Sequence, residues 1–220
     1  MRLIGDVHGR IGDYLSLIRD VQRSIQLGDM SLDYSALPTT PHIFIGGNHD
    51  NYSVDHPCRR NWGMHDGWFL IRGAESTDKA LRVEGIDWWA DEQLSDRECD
   101  LVIDAYTKAR PDYVASHDCP QMLLPKLGID GKGSRTNQLL QALYEIHQPI
   151  RWIYGHHHCN HVQYAGGVGD YTIFQCLDEL AYIDVPDTEY SNIPFRWIYG
   201  HHHLIPHERD YYYIDTSTNI

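Results

Sequence analysis

Residues 2 to 9 read Arg2-Leu3-Ile4-Gly5-Asp6-Val7-His8-Gly9, a short apolar run that stops at glycine and is followed by an aspartate and a histidine two places apart. The pattern recurs along the chain. Ser24-Ile25-Gln26-Leu27 runs into Gly28-Asp29, and His42-Ile43-Phe44-Ile45 into Gly46-Gly47-Asn48-His49-Asp50. Tyr113-Val114-Ala115-Ser116 runs into His117, and Arg151-Trp152-Ile153-Tyr154 into Gly155-His156-His157-His158. An apolar run of about four residues closed by glycine predicts a strand and then a turn. Glycine lets the backbone turn sharply and lets a ligand come close. Loops after strand ends gather at one edge of an open α/β sheet. The pattern therefore predicts a single cluster of Asp, Asn and His around metal.

Between these runs the periodicity predicts helices. Tyr14, Ile18, Val21 and Ile25 form one apolar stripe, though Ser24 to Leu27 must also lead into Gly28-Asp29. Ser95 with Glu98 three places on is a capping box, followed by Cys99, Val102, Ile103 and Tyr106, and Arg110-Pro111 stops that helix. A third helix starts near Ser134, presents Leu139, Leu140, Leu143 and Ile146, and ends before Pro149. Further strands are expected at Leu81 to Glu84, Tyr171 to Cys176 and Ala181 to Val185. Residues 51 to 75, with Pro57, Gly63, Gly67 and Gly73 among Trp62, Trp68 and Phe69, read as an irregular loop over or beside the site. Helices alternating with strands suggest an α/β protein with helices on sheet faces.

A chain of 220 residues fits one ordinary domain with a short appendage, and 42% hydrophobic residues suffice for a core. No run approaches the ~18 apolar residues of a membrane span. Asp6 stands too near Met1 to leave room for a signal peptide. Five cysteines without a CxxC pair read as reduced thiols in a cytoplasmic protein, with Cys119 and Cys159 as small packing residues near the site. A net charge of −13 argues against a nucleic-acid footprint but not against a small phosphate ester. Bound divalent cations would reverse the sign locally.

In their order (D-x-H-G, G-D, G-N-H-D, H, G-H-x-H) the motifs resemble the calcineurin-like metallophosphoesterase superfamily over residues 1 to 185. Trp68-Phe69-Leu70-Ile71-Arg72-Gly73-Ala74, Trp88-Trp89 and Ser116-His117-Asp118-Cys119-Pro120 resemble its bacterial and phage-type branch. The resemblance implies a four-layer α/β sandwich, with two mixed sheets flanked by helices and the metal site at the C-terminal ends of strands. It implies two divalent metal ions. Asp6, His8 and His158 would hold one, Asn48, His117 and His156 the other, and Asp29 would bridge. Manganese is the expected metal, and the mixed ligand set also suits iron and zinc. His49 would stand on the phosphate side, stabilising charge or protonating the leaving oxygen. Asp50 is then a candidate to orient a histidine. Residues two apart on an extended stretch point the same way. His156 and His158 are thus expected to face the metals with His157 turned away, and Asp6 to pair with His8.

The implied activity is hydrolysis of phosphate mono- or diesters by a metal-bound hydroxide. The partner is a small phosphate ester, with a phosphoprotein or nucleotide as further candidates and no membrane. Arg59, Arg60 and Arg72 are candidate phosphate contacts, and Asp118 a candidate neighbour of the ligands. The protein Ser/Thr phosphatase pattern G-D-x-x-D-R-G is not met by Gly28-Asp29-Met30-Ser31-Leu32-Asp33-Tyr34, and the third motif ends in Asp50 rather than Glu. The alternative is a non-catalytic protein-binding module on the same fold. Such a protein usually loses a ligand or the G-N-H histidine, and both are kept here. A His-rich metal carrier binding nickel or zinc would show histidines without the accompanying Asp and Asn.

Arg151 to His158 is repeated without change at Arg196 to His203. Two copies do not make a solenoid, and the metal site needs one G-H-x-H. The first copy has the expected helix before it and strands after it. Residues 186 to 220 therefore read as a C-terminal tail carrying a duplicated segment, and His201 with His203 as the rival pair.

Overall fold

The computed structural model describes residues 1–39, 41–167, 170–185 and 213–214. The second copy, Arg196 to His203, lies outside the described residues. All five runs that precede the motifs are strands: β1 (Arg2–Ile4), β2 (Ser24–Gln26), β3 (His42–Ile45), β7 (Tyr113–Ser116) and β8 (Arg151–Tyr154). They divide between two mixed sheets. In the first, β1, β2, β3 and β4 (Arg59–Arg60) run parallel, and β11 (Tyr182–Asp184) lies antiparallel against β1. In the second the order is β9 (His161–Gly167), β10 (Asp170–Cys176), β8, β7, β6 (Trp68–Ile71) and β5 (Trp62–His65). There β10, β8, β7 and β6 are parallel, and β9 and β5 are antiparallel to their neighbours. Tyr213–Ile214 pairs parallel with β9.

The inner strands, such as β3, β6 and β7, are largely buried because they are mostly apolar on both faces, as parallel strands in the middle of an α/β protein are. Alternation then sorts each strand between two cores. Trp68, Leu70, Ala115 and Ile153 join the core that holds Leu3, Ile25 and Phe44 of the first sheet. Their neighbours Phe69, Ile71, Val114, Trp152 and Tyr154 join the core that holds Val102, Tyr106, Leu140 and Leu143. Those last four lie on α2 (Asp96–Ala109) and α3 (Arg135–Ile146). The second sheet is thus covered on both faces, and each large apolar side chain buried there contributes roughly 1.5–3 kcal/mol.

The Ser95/Glu98 capping box forms, and α2 ends at Arg110, whose φ of 41° turns the chain ahead of Pro111. Helix α3 has an equivalent box from Ser134 and Asn137. Helix α1 (Ile11–Ile18) buries Tyr14 and Ile18, while Val21 lies past its end and Ile25 belongs to β2.

Two expectations fail. Residues 51 to 75 are not a loop throughout. They contain β4, the hairpin β5–β6 and, in β6, a fully buried strand. Asp66-Gly67 forms its two-residue turn, with φ values of 47° and 82°. That is the left-handed pair a right-twisted hairpin favours, and Asp-Gly is a strong signal for it. The glycines there mark a hairpin, not the absence of strand. Conversely, Leu81 to Glu84 is not a strand. A short 3-10 helix (Lys79–Leu81) leads into a turn stretch with one isolated bridge, Glu84 to Trp88. Among the described residues no helix is long and apolar enough to cross a membrane.

Candidate metal centre

The loops that follow the five strands meet, tied together by their backbones. Val7 and His8 both donate N–H groups to the Asp29 carbonyl, at 3.1 and 2.7 Å. Gly155 donates to the His117 carbonyl at 3.0 Å, and Gly73, after β6, to the Gly46 carbonyl at 2.8 Å. The motif glycines leave room for ligands. A Cβ at Gly28 would meet the His117 ring, one at Gly47 the Asp29 carboxylate, and one at Gly155 the Asp6 carboxylate. The loops are also strained. Of the non-glycine residues with positive φ among those described, His8, Asp29, His156 and His158 are four of seven. Such strain collects where a site fixes side-chain direction at the backbone's expense.

Three groups of ligand atoms result among the described residues, each lying within 4.8 Å, and the one made of Asp118, His156 and His157 lies behind the other two. The first is Asp6, His8, Asp29 and His158, and the second Asp29, His117 and His156. In the first, the Nε2 atoms of His8 and His158 stand 3.0 Å apart, and His158 Nε2 is 3.3 Å from Asp6 Oδ2. In the second, His117 Nε2 is 3.4 Å from Asp29 Oδ1 and 3.1 Å from Asn48 Oδ1. Asp29 belongs to both. Its Oδ1 accepts from the His49 N–H at 2.7 Å, while its Oδ2, buried and 3.8 Å from His8 Nε2, has no hydrogen-bond partner. A buried carboxylate oxygen left unpaired costs ~1–3 kcal/mol or more. Burial pushes the Asp29 carboxyl well above its ordinary range, and the nearby charges of Asp6 and Asp50 push it further. A cation would reverse both effects, so the donor set fits a metal.

The imidazoles are arranged to ligate. The His117 Nδ1 lies 2.8 Å from the Leu27 carbonyl, which can only accept. Nδ1 therefore carries the proton and Nε2 offers its lone pair to the site. Burial pushes the pKa values of His8 and His117 down, and that of His156 to about 4. All three are then neutral near pH 7, the form that binds metal. Burial raises the Asp6 carboxyl, but hydrogen bonds from His158 and from the His156 N–H act against it, and the net shift is downward, so it stays ionised.

Several residues around the ligands carry no sequence signal. Asn48 Nδ2 donates to Ser76 Oγ at 3.2 Å, and Ser76 Oγ donates to Glu92 Oε2 at 2.6 Å. That chain fixes the amide so that Oδ1 faces His117. Glu179 Oε1 lies 3.4 Å from His158 Nδ1, a carboxylate behind a histidine that points its other nitrogen at the site. Both partners are close only in space.

Some expected roles change. His156 and His158 sit in left-handed turn conformations, with φ of 67° and 46°, not on an extended stretch. Alternation therefore does not set their directions. His157 points away from the Asp29 groups, to Asp118 and Cys119: its Nε2 meets Asp118 Oδ1 at 3.0 Å and Cys119 Sγ at 3.4 Å. Asp118 is buried. Burial alone would raise its carboxyl, but His156 and His157 hold it at about 2. Among the described residues Asp50 has no histidine as a hydrogen-bond partner. It is fully buried and accepts from the N–H groups of Gly47, Met30 and Ser31 and from the Tyr34 hydroxyl, at 2.7, 3.0, 3.1 and 3.2 Å. It pins the Gly28-Asp29 and Gly46-to-Asp50 loops together.

The three candidate phosphate arginines are held by the framework. Arg72 lies 4.9 Å above the Tyr52 ring and 3.5 Å from Glu98. Arg59 donates to the Asn51 carbonyl at 2.8 Å, and Arg60 to that of Pro57 at 2.7 Å. Among the described residues the arginine that hydrogen-bonds a motif histidine is Arg82, whose Nη2 lies 2.7 Å from His49 Nε2. No family model matches the chain, and no curated protein matches it.

Proposed function

We propose that the protein is a binuclear metal-dependent phosphoesterase that hydrolyses phosphate mono- or diesters. The observation that carries this reading is Asp29, a buried aspartate shared by two ligand groups, with one oxygen unpaired. A carboxylate so placed suits a bridge between two cations. Asp6, His8 and His158 would hold one ion, and Asn48, His117 and His156 the other. Two divalent ions, manganese with iron or zinc as alternatives, would neutralise the phosphate and activate water. The chain's own residues would do the rest. The neutral imidazoles stay available as ligands, Asp50 and Glu92 hold the loops in register, and His49 faces the same space on the phosphate side. The two cores support the four-layer order implied by the motifs, since the second sheet has the first on one side and α2 and α3 on the other. A cytoplasmic location belongs to the same reading, on the strength of five free cysteines.

The test is hydrolysis of para-nitrophenyl phosphate and bis-para-nitrophenyl phosphate with Mn²⁺ and with chelator. Three proteins are compared: the unmodified chain, His156→Ala/His158→Ala and His201→Ala/His203→Ala. Metal-dependent turnover lost only in the first pair is the expected result. Loss only in the second pair would move the site to the repeated segment. No turnover of either ester by the metal-loaded chain would sink the phosphoesterase reading.

A further inference from the structure

We propose that Arg82, beside His49, forms the oxyanion-binding side of this site and that its ligand is the terminal phosphoryl group of a phosphomonoester. The inference rests on the phosphoesterase reading for its substrate, but it concerns a residue outside the motifs and a choice the motifs leave open.

Arg82 is turned inward by a segment that otherwise faces out. Leu81, Val83 and Ile86 are 88%, 56% and 67% exposed, whereas the Arg82 side chain is 9% exposed. The segment is built to hold that direction. The Val83 N–H donates to Asp87 Oδ1 at 2.6 Å, that of Gly85 to the Trp88 carbonyl at 2.8 Å, and Trp89 Nε1 to Ser53 Oγ at 2.6 Å. The guanidinium is steadied by Asp78 at 2.9 Å and by the Asp87 carbonyl at 3.3 Å, and reaches His49 Nε2 at 2.7 Å. Arginine only donates, so His49 Nε2 accepts. These three contacts use three of about five N–H donors, and the other two find no acceptor among the described residues. Among those residues Arg82 is the arginine whose hydrogen bonds reach a motif histidine.

A guanidinium with donors to offer, next to the residue that follows the ligand Asn48, is suited to phosphate oxygens. A phosphomonoester carries three non-bridging oxygens and up to two negative charges. Cations held by the carboxylate–imidazole cluster would offset part of that charge, and Arg82 would donate to a charged oxygen on its own side of the site. A diester has one non-bridging oxygen fewer, an ester oxygen with a substituent in its place, and at most one negative charge to meet the arginine. Arg82 therefore favours the monoester.

The test measures binding of inorganic phosphate to the Mn²⁺-loaded chain by calorimetry, for the unmodified protein, Arg82→Ala, Arg82→Lys and Arg60→Ala. Mn²⁺ affinity and thermal stability are measured on the same samples. Phosphate affinity should fall about 10- to 100-fold in Arg82→Ala, as expected for a lost hydrogen bond to a charged group. Arg82→Lys should fall less, and Arg60→Ala should not change. The ratio of para-nitrophenyl phosphate to bis-para-nitrophenyl phosphate turnover should fall in Arg82→Ala. Unchanged phosphate affinity in a folded, Mn²⁺-binding Arg82→Ala would overturn the proposal. So would equal losses on the two esters, or no phosphate binding by the unmodified chain. Arg82-dependent phosphate binding without hydrolysis of either ester would instead defeat the phosphoesterase reading and leave this one standing.

Discussion

The two halves of the candidate metal centre are made differently. In the half that holds Asn48 and His117, the ligands are 4% and 0% exposed and each is oriented by a partner. His117 is fixed by the Leu27 carbonyl, and Asn48 by Ser76 and Glu92. In the half that holds His8 and His158, the side chains are 22% and 45% exposed, and they face each other and the rim carboxylate Glu179. A preorganised set of ligands loses less freedom when it binds. The buried half should therefore take its ion more tightly, and the open half should exchange. Asp29 joins them.

The largest effect should come from removing that joint. Asp29→Asn takes a charge from both halves, so Mn²⁺ affinity should fall by more than about 100-fold, beyond the usual cost of an outer-shell change. Calorimetric titration checks this, and a variant that still binds two equivalents near wild-type affinity would break the picture of a shared carboxylate. Next comes acidification of the metal-free protein. His156 has a folded pKa of about 4 against an ordinary 6.5, so below 6.5 the unfolded chain binds the proton the folded one refuses. Its contribution is whole above pH 6.5 and is lost towards pH 4, on the order of 3 kcal/mol. His158 in the open half has the opposite sign, because its Asp6 hydrogen bond raises its pKa. Thermal unfolding in chelator from pH 7 to 4 should show the loss, and His156→Asn should flatten it. An equally steep limb in that variant would refute the assignment.

A smaller change should separate the halves. Glu92→Gln disturbs only the Asn48 support, and should weaken one of two Mn²⁺ binding steps by about 10- to 100-fold. Glu179→Gln should affect the other step, and by less, because its group is on the rim. The same step responding to both substitutions would show that the halves are not independent. The smallest effect belongs outside the site. Ser95→Ala removes the α2 cap and should lower stability by about 1 kcal/mol, with Mn²⁺ binding unchanged.

The sequence was most legible where local rules and tertiary demands agree. The runs at Arg2, Ser24, His42, Tyr113 and Arg151 all become strands, and Ser95 and Ser134 both start helices. It was misread where punctuation has two meanings. Gly63 and Gly67 read as breakers, yet Asp66-Gly67 turns a hairpin whose second strand, Trp68–Ile71, lies buried in the second sheet. The run Leu81 to Glu84 has apolar residues, but Leu81 and Val83 are exposed and Arg82 between them is not, the reverse of a buried strand's alternation.

By itself the sequence determined which residues could gather: strand, glycine and ligand stand next to one another, and their chemistry is local. Only the tertiary structure decided how they meet. Asp29 and His117 are far apart in the chain, and their 3.4 Å separation depends on two sheets packing with their strand ends together. The directions of His156 and His158 come from left-handed turns that no periodicity announces. Glu92 behind Asn48, Glu179 behind His158 and Arg82 beside His49 follow the same rule. Hydrogen bonds depend on distance in space, and the spacing of residues along the chain does not specify it.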